Sequence, residues 1–262
     1  MKIHSNVVQH IGITSSLIAS AVLIAAPVSV YALGSTTSGA TTTKTSPFCT
    51  ELPSKSTTIT NEMSTLSGKL QTAWANQTQD LANAFQKVDQ NVATDRAKAD
   101  SERQTDLTKL MTKATTSAEK QAVTTYETAV LQAVNTRRTA YDNARSSYRS
   151  SVEGVASGRQ TTVKGQLAVF ESSVDDALIN AQASCASTPS QGASIRATLV
   201  GSLKTARETF QGDRKSDSTV ETQIKQYAAT RNSAFDSANS VFQTSMQNAA
   251  KALQQVFGKT NV

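Results

Sequence analysis

An apolar side chain recurs every eleven residues along most of the chain after residue 58. In the first stretch this line consists of Met63, Trp74, Phe85 and Leu107, with Ile59, Leu70, Leu81 and Val92 beside it, and in the last stretch of Ile224, Phe235, Met246 and Phe257. Eleven residues in three turns give about 3.67 residues per turn, which is close to the α-helix itself. The pattern therefore predicts long helices with little supercoiling and an all-α fold.

Three helices of matched length are expected, because one amphipathic helix cannot bury its own apolar stripe. The sequence predicts an elongated antiparallel three-helix bundle, or coiled coil, with an 11-residue repeat over residues 55–258. Its helices are expected at about 55–114, 117–185 and 191–258, followed by a tail at 259–262. Thr116 and Glu119 have the spacing of a capping box that opens a helix. One continuous helix from 55 to 185 that pairs between molecules stays open as an alternative.

The second and third predicted helices carry further signals. The second contains a 22-residue near-repeat, in which aligned apolar positions are Tyr126, Tyr148 and Phe170, then Val130, Val152 and Val174, then Val134, Ala156 and Leu178. The third keeps its stripe in phase across Gly212-Asp213-Arg214, although Asp213 and Asp217 occupy stripe positions there. A kink or local break is expected at that point.

The N-terminal segment has the features of a secretory signal peptide over residues 1–32. An apolar run ends at Val30 and Ala32, which stand at the −3 and −1 positions of a small-residue cleavage site, with Pro27 just upstream. The alternative is an uncleaved segment that anchors the chain in a membrane. Residues 33–54 are expected to be a flexible linker rich in Thr and Ser. The predicted location is extracytoplasmic: periplasmic, at the cell surface or secreted.

Two cysteines, Cys49 and Cys185, are the only ones in the chain. Because export leads to an oxidising compartment, they are expected to form one disulfide. One precedes the first predicted helix and the other ends the second. A hairpin of those helices would bring both to one end, where the bond would join the open end of the hairpin. Two free thiols are the alternative.

The charge pattern gives little indication of a partner. The net charge is +6, and interspersed signs on helices are typical of solvated faces. A local basic cluster consists of Arg137, Arg138, Arg145 and Arg149. It is expected to be solvated, with binding to an anionic glycan or nucleic acid as the lesser alternative. Single-stranded nucleic acid is disfavoured because the aromatic residues fall on the buried stripe.

No residue emerges as a catalytic, cofactor-binding or metal-ligating group. Both histidines, His4 and His10, lie in the predicted signal peptide, which argues against His-dependent catalysis and zinc ligation in the processed chain. Neighbouring carboxylates on one helix face do not form a glycosidase cleft. The acidic residues in question, Asp175 with Asp176 and Asp95 with Asp100 and Glu102, are expected to be solvated. Trp74 and the tyrosines have the spacing of packing residues.

Several short motifs carry a resemblance to a known group of proteins. They are Phe48-Cys49 before a long helix, the run Ala133-Val134-Asn135-Thr136-Arg137-Arg138-Thr139-Ala140, the later Cys185, and Ser194-Ile195-Arg196-Ala197-Thr198 at a helix start. Over most of its length after the signal segment, the chain resembles uncharacterised exported long-helix, coiled-coil-like proteins of reduced-genome bacteria. That group has no assigned activity, so the resemblance implies architecture and export only.

The sequence favours a non-catalytic structural or protein-interaction rod at the cell envelope or outside it. Its expected partner is a protein or an envelope component. A periplasmic chaperone-like or carrier module is the first alternative, and an exposed apolar groove would favour it. Binding of an anionic polymer through basic helix faces is another. An enzyme is disfavoured because the pattern predicts no cleft. Neither a small-molecule substrate nor an oligomeric state is indicated.

Overall fold

The computed structural model describes residues 45–215 and 219–258, and that part of the chain is all-α. Four helices are present within it, namely α1 (Pro47–Lys113), α2 (Ser117–Ser187), α3 (Gly192–Lys215) and α4 (Thr219–Phe257). About 95% of the described residues are helical and none is in a strand, so the predicted all-α class is confirmed. The predicted signal peptide at 1–32, the first part of the predicted linker and the tail at 259–262 lie outside the described residues.

The chain divides into two compact units. We call one the disulfide unit; its described residues are 45–80 and 156–221 without the gap at 216–218. We call the other the arginine unit; its described residues are 81–155 and 222–258. Helices α1 and α2 each contribute one segment to both units. The third segment comes from α3 in the disulfide unit and from α4 in the arginine unit.

The disulfide unit has an aliphatic and aromatic core to which α1, α2 and α3 all contribute. The rings of Phe170 and Phe210 stack with centroids 5.2 Å apart. The core side chains from α1 are Cys49, Leu52, Met63, Leu66, Leu70 and Trp74; those from α2 are Val163, Leu167, Phe170, Val174, Ala177, Leu178 and Ala181; those from α3 are Ile195, Leu199, Leu203, Ala206 and Phe210. Burial of these side chains is the main stabilising contribution to this unit.

The arginine unit has a smaller apolar cluster. It consists of Val130, Ala133, Val134 and Phe242, with Tyr126 and Met246 packed against it. Elsewhere in this unit, arginine side chains pack against buried residues of the apolar stripe.

The 11-residue stripe and the 22-residue repeat both face inward. Met63, Trp74, Phe85 and Leu107 are buried, as are Phe170, Val174 and Leu178 at the end of the repeat. Ile59, Val92, Met246 and Phe257 are half-buried. Packing explains the aromatic spacing, as the sequence predicts.

The break between α1 and α2 falls where the capping box is predicted. The Thr116 amide N–H donates to the Glu119 carboxylate at 2.9 Å, and the Glu119 amide N–H donates to the Thr116 hydroxyl at 3.2 Å. This reciprocal pair satisfies amide groups that the first turn of α2 leaves without helical acceptors. The predicted capping box is confirmed, and the alternative of one continuous helix from 55 to 185 is not the state of the described chain.

Helix α1 begins at Pro47, about two turns before the predicted start at 55. Pro53 disfavours helix there in the sequence, because its ring removes a donor and crowds the preceding turn. Local contacts outweigh that cost. The Ser46 hydroxyl accepts a hydrogen bond from the Cys49 amide as an N-cap, Leu52 is almost fully buried, and Cys49 is bonded to Cys185. Residues 47–54 of the predicted linker are therefore helical.

The predicted third helix at 191–258 is recorded as two helices. Helix α3 ends at Lys215 and α4 begins at Thr219, while residues 216–218 lie outside the described part. Gly212 and Asp213, where a kink or break is predicted, are helical and exposed near the end of α3, and the residues that follow Lys215 lie outside the described part. Asp213 places a charged, exposed side chain at a stripe position, so the apolar stripe is interrupted at that residue.

Gly192, the first residue of α3, provides a test of packing at the start of α1. A Cβ at this position would clash with the Oγ of Ser46 and lie 2.5 Å from its Cβ, whereas one at Gly201 would meet nothing within 4 Å. Gly192→Ala is expected to displace the Ser46 cap and lower the free energy of unfolding by about 1 kcal/mol. Gly201→Ala is the control and should stabilise α3 by up to about 1 kcal/mol. Urea unfolding of both variants measures this, and equal effects would contradict the packing described.

Candidate functional site: an arginine and aspartate ladder

Three ion pairs join α1 to α2 in the arginine unit. The nitrogen–oxygen distances are 2.6 Å for Arg138 with Asp100, 2.8 Å for Arg96 with Asp142, and 2.7 Å for Arg149 with Asp89. As the residue number of the α1 partner increases from one pair to the next, that of the α2 partner decreases, so the two segments are antiparallel. Asp89 and Asp100 are eleven residues apart, as are Arg138 and Arg149. The charged contacts thus repeat with the period of the apolar stripe, and we call these three pairs the ladder.

Two of the ladder aspartates each accept from a second arginine. Asp100 accepts from Arg103 of its own helix at 2.6 Å as well as from Arg138 of the facing helix. Asp142 likewise accepts from Arg145 of its own helix and from Arg96 across the seam. Both interhelical pairs are bidentate, since two guanidinium nitrogens contact two carboxylate oxygens. Bidentate geometry restricts the relative position of the two helices more than a single contact does.

These contacts lower the pKa of both aspartates. Hydrogen bonds from Arg138 and then Arg103 hold the pKa of Asp100 at about 2, against an ordinary value of 3.8. Burial of Asp142 opposes ionisation, but hydrogen bonds from Arg96 and Arg145 outweigh it and the pKa is lowered. Both carboxylates are therefore fully charged near neutral pH, as the ladder requires.

Arginines also join α2 to α4, through aromatic rings. The Arg137 guanidinium lies 3.9 Å from the centroid of Phe242, and the Arg231 guanidinium lies 4.5 Å from the centroid of Tyr148. Each helix supplies one arginine and one ring. In both helices the arginine lies eleven residues before the ring. The contacts are therefore reciprocal and antiparallel. Cation–π contacts of this kind stabilise more strongly when desolvated.

Arg231 is the most buried arginine described in this unit. It is 7% exposed, and its Nη1 has no hydrogen-bond partner among the described residues. Its Nε and Nη2 donate to Asn232, and its guanidinium also lies 5.9 Å from the Phe235 ring centroid. Burial lowers its pKa, while Tyr148 acts in the opposite direction. Aromatic faces rather than carboxylates accommodate this charge, which makes its position dependent on both rings.

The basic cluster expected to be solvated is engaged within the chain. Arg138 and Arg149 belong to the ladder, Arg145 contacts Asp142, and Arg137 stacks on a ring; burial lowers the pKa of Arg137. The expectation of a solvated basic face is therefore wrong for these four residues. Their contacts hold helices together, and they do not present a free basic surface that would favour an anionic polymer. Asp100, also expected to be solvated, is about half exposed and paired.

The disulfide unit carries a groove of about 600 Å³ between α2 and α3. Phe170 and Phe210 line it, and Val169 at its edge is 60% exposed. The Oε1 atom of Gln166, another lining residue, is buried without a hydrogen-bond partner in the described structure. Asp176 and Asp213 contribute acidic groups to the walls. The other lining residues are small or carry a hydroxyl group: Ser173, Thr198, Gly201, Ser202, Thr205, Ala206 and Thr209. The groove therefore offers a ligand mostly hydroxyl, amide and carboxylate groups, with Val169 as an apolar edge.

The other residues named in the sequence predictions lie in the core or form contacts within the chain. Cys49 and Cys185 form a disulfide with Cα atoms 5.4 Å apart. Trp74 is buried beneath Lys164, whose Nζ lies 5.4 Å from the ring centroid. Asp175 adds to burial in raising the pKa of Glu171. Within residues 45–215 and 219–258, no three His, Cys, Asp or Glu side chains gather where they would hold a metal ion.

The ladder is not among the features predicted from the sequence, although the sequence contains a signal for it. Asp89, Arg96, Asp142 and Arg231 were not singled out, because interspersed charges on helices are normally solvated. Two aspartates in one helix and two arginines in the next share the 11-residue spacing of the apolar stripe. A charge pattern with the same period as the core places those charges at the helix interface.

Comparisons with protein-family models, curated proteins and solved structures find no match to this chain. None of the helices in the described ranges has the length and apolar character needed to cross a bilayer. The residues and their geometry are therefore the basis for the functional proposal below.

Asp100→Asn tests the ladder through its pH dependence. Because the folded-state pKa of Asp100 lies near 2 and the ordinary value is 3.8, its contribution is present above 3.8 and is lost as pH falls through 2. The pair is half exposed, so after solvent screening we expect a loss of about 1 kcal/mol near neutral pH. Thermal unfolding of wild type and variant should converge as the pH falls towards 2.

The matched control is Asp106→Asn. Asp106 contacts Lys109 of the same helix at 3.5 Å, and both side chains are more than half exposed. This substitution should change stability by less than about 0.5 kcal/mol at any pH. A difference between wild type and Asp100→Asn that persists unchanged in acid would contradict the assignment.

Proposed function

We propose that this chain is a non-catalytic, exported protein with a structural or protein-interaction role at the cell envelope or outside it. The observation that carries the proposal is the use of the charged side chains. In the arginine unit, the ladder and the cation–π contacts direct guanidinium and carboxylate groups at one another across helix interfaces. Groups used in this way position helices. They are not arranged around a reacting centre.

Export is supported by the disulfide and by the sequence of the first 32 residues. A disulfide is typical of oxidising compartments outside the cytoplasm. The apolar run ending at Val30 and Ala32 has the form of a cleavable signal. We propose that the processed chain is periplasmic, displayed at the surface or secreted. An uncleaved segment would instead tether it to a membrane.

We further propose that the processed chain is an antiparallel three-helix bundle with an 11-residue repeat. The core of the disulfide unit draws on three helical segments, and the buried side chains of the arginine unit also come from three. In the disulfide unit, Ser56 of α1 and Gln182 of α2 are joined by a hydrogen bond of 3.2 Å, in the antiparallel sense set by the disulfide. Contacts spaced eleven residues apart in the arginine unit support the repeat.

A carrier or chaperone-like role is the second candidate, and the groove of the disulfide unit favours it. The exposed Val169 side chain provides an apolar edge, and the unsatisfied Gln166 oxygen would accept a hydrogen bond from a bound group. Concave sites that combine apolar contact with polar groups that orient a ligand are typical of binding sites. Under this alternative the partner would bind between α2 and α3.

One experiment tests both candidates. The full chain is produced in its native host, and the envelope and extracellular fractions are treated with a chemical cross-linker before the protein is captured. Wild type is compared with Gly201→Leu, which fills the groove, and with Gly158→Leu as the control. A Cβ at either glycine meets nothing within 4 Å, and circular dichroism checks that both leucine variants are folded.

The structural proposal predicts that all three proteins are exported and cross-link to the same envelope protein or component. The carrier alternative predicts that Gly201→Leu loses most of its partner, roughly tenfold, while Gly158→Leu retains it. Recovery of the chain in the cytoplasm, or the absence of any cross-linked partner in all three samples, would count against the structural proposal.

A further inference from the structure

The turn between α1 and α2 is short and made of residues that a helix tolerates. Only Ala114, Thr115 and Thr116 separate the two helices, and none is Gly or Pro. The Ala114 amide donates to the carbonyls of Leu110 at 3.2 Å and Met111 at 3.3 Å, so helical winding continues to this residue. Very little backbone must therefore change for α1 to continue directly into α2.

Glu119 holds this turn closed. Its carboxylate accepts from the Thr115 amide at 2.8 Å, the Thr115 hydroxyl at 2.9 Å and the Thr116 amide at 2.9 Å, and the residue is 6% exposed. In a continuous helix both amides would instead donate to carbonyls four residues earlier. The carboxylate would then lose these three hydrogen bonds. Glu119 thus favours the closed turn over the straight one.

We propose that this turn is a hinge through which two copies of the chain exchange α1. In the exchanged dimer α1 runs straight into α2 and packs against the other copy. Because the copies are identical, the ladder and the core of each unit re-form with the same residues. The two states differ chiefly at the hinge, which is the condition under which exchange occurs readily. Short connections favour exchange further.

The disulfide distinguishes the two states. Cys49 lies in α1 and Cys185 in α2, so their bond lies within one chain in the monomer. In the exchanged dimer, Cys49 of each copy bonds to Cys185 of the other. When reduced protein is refolded with oxidised glutathione, each cysteine pair gives two electrons and two protons to glutathione as its bond forms. Electrophoresis without reductant then reports the fraction of exchanged dimer.

The test compares Glu119→Ala with Glu153→Ala, an exposed glutamate on the same helix. The full chain is unfolded, reduced, refolded and oxidised over roughly a hundredfold range of concentration, since dimer formation depends on concentration. Glu119→Ala should raise the ratio of disulfide-linked dimer to monomer about tenfold or more over wild type. The reason is that the substitution removes a cap from each of the two monomers that combine into one dimer, while the straight hinge of the dimer has no such cap to lose. Glu153→Ala should match wild type. Circular dichroism confirms that each sample has refolded.

Ser117→Pro provides the opposite change. Ser117 is the first residue of α2, where proline is compatible with a helix start. Within a continuous helix, proline would remove a hydrogen bond and clash with the preceding turn. Ser117→Pro should therefore suppress the dimer both in wild type and in the Glu119→Ala background.

Three results would overturn the proposal. One is a Glu119→Ala sample with no more dimer than Glu153→Ala. Another is a dimer that persists in the variant carrying both Glu119→Ala and Ser117→Pro, since it would then arise from cross-linking of unfolded chains. The last is the absence of disulfide-linked dimer from wild type and Glu119→Ala at the highest concentration.

Discussion

A guanidinium group held between two helices needs a carboxylate or an aromatic face, and this requirement determines how the arginine unit is built. Its helices are rich in Ala, Ser and Thr, so successive turns of each helix have similar surfaces. An apolar stripe with an 11-residue repeat brings such helices together but allows them to pair at several offsets. The ladder restricts the offset, because Arg96, Arg138 and Arg149 each find an aspartate at the observed alignment.

The small free energy expected from each ion pair indicates that the ladder mainly sets the alignment of the two helices and adds little to overall stability. The Arg96 and Asp142 side chains are 29% and 45% exposed, so solvent screens their attraction and each such pair contributes little net stabilisation. At a shift of one 11-residue repeat, Arg138 would instead face Met111 and Asp89 would face Gln160, so both would lose their charged partners. Buried or half-buried polar groups that select one alignment at modest cost are known in helical assemblies. Arg231, held by rings instead of carboxylates, extends the same selection to α4. The disulfide unit relies instead on its aliphatic core and on the Cys49–Cys185 bond.

The sequence predicts much of this fold because its strongest signals are local. The 11-residue stripe identifies the helices, and the Thr116–Glu119 spacing locates the first turn. The start of α1 at Pro47 is not predictable in the same way. It depends on the disulfide, the burial of Leu52 and the Ser46 cap, which outweigh the local preference of Pro53. The ladder was missed for a related reason: whether an arginine is solvated or paired depends on the residues that the facing helix places opposite it.

The alignment of α1 and α2 is tested most directly by two double-mutant cycles. One combines Arg96→Gln with Asp142→Asn, the observed pair. The other combines Arg96→Gln with Glu153→Gln, the residue that a shift of one 11-residue repeat would place opposite Arg96. We expect a coupling energy of about 0.5–1 kcal/mol in the first cycle and less than about 0.3 kcal/mol in the second. Equal coupling in the two cycles, or coupling only to Glu153, would contradict the role of the ladder in setting the alignment.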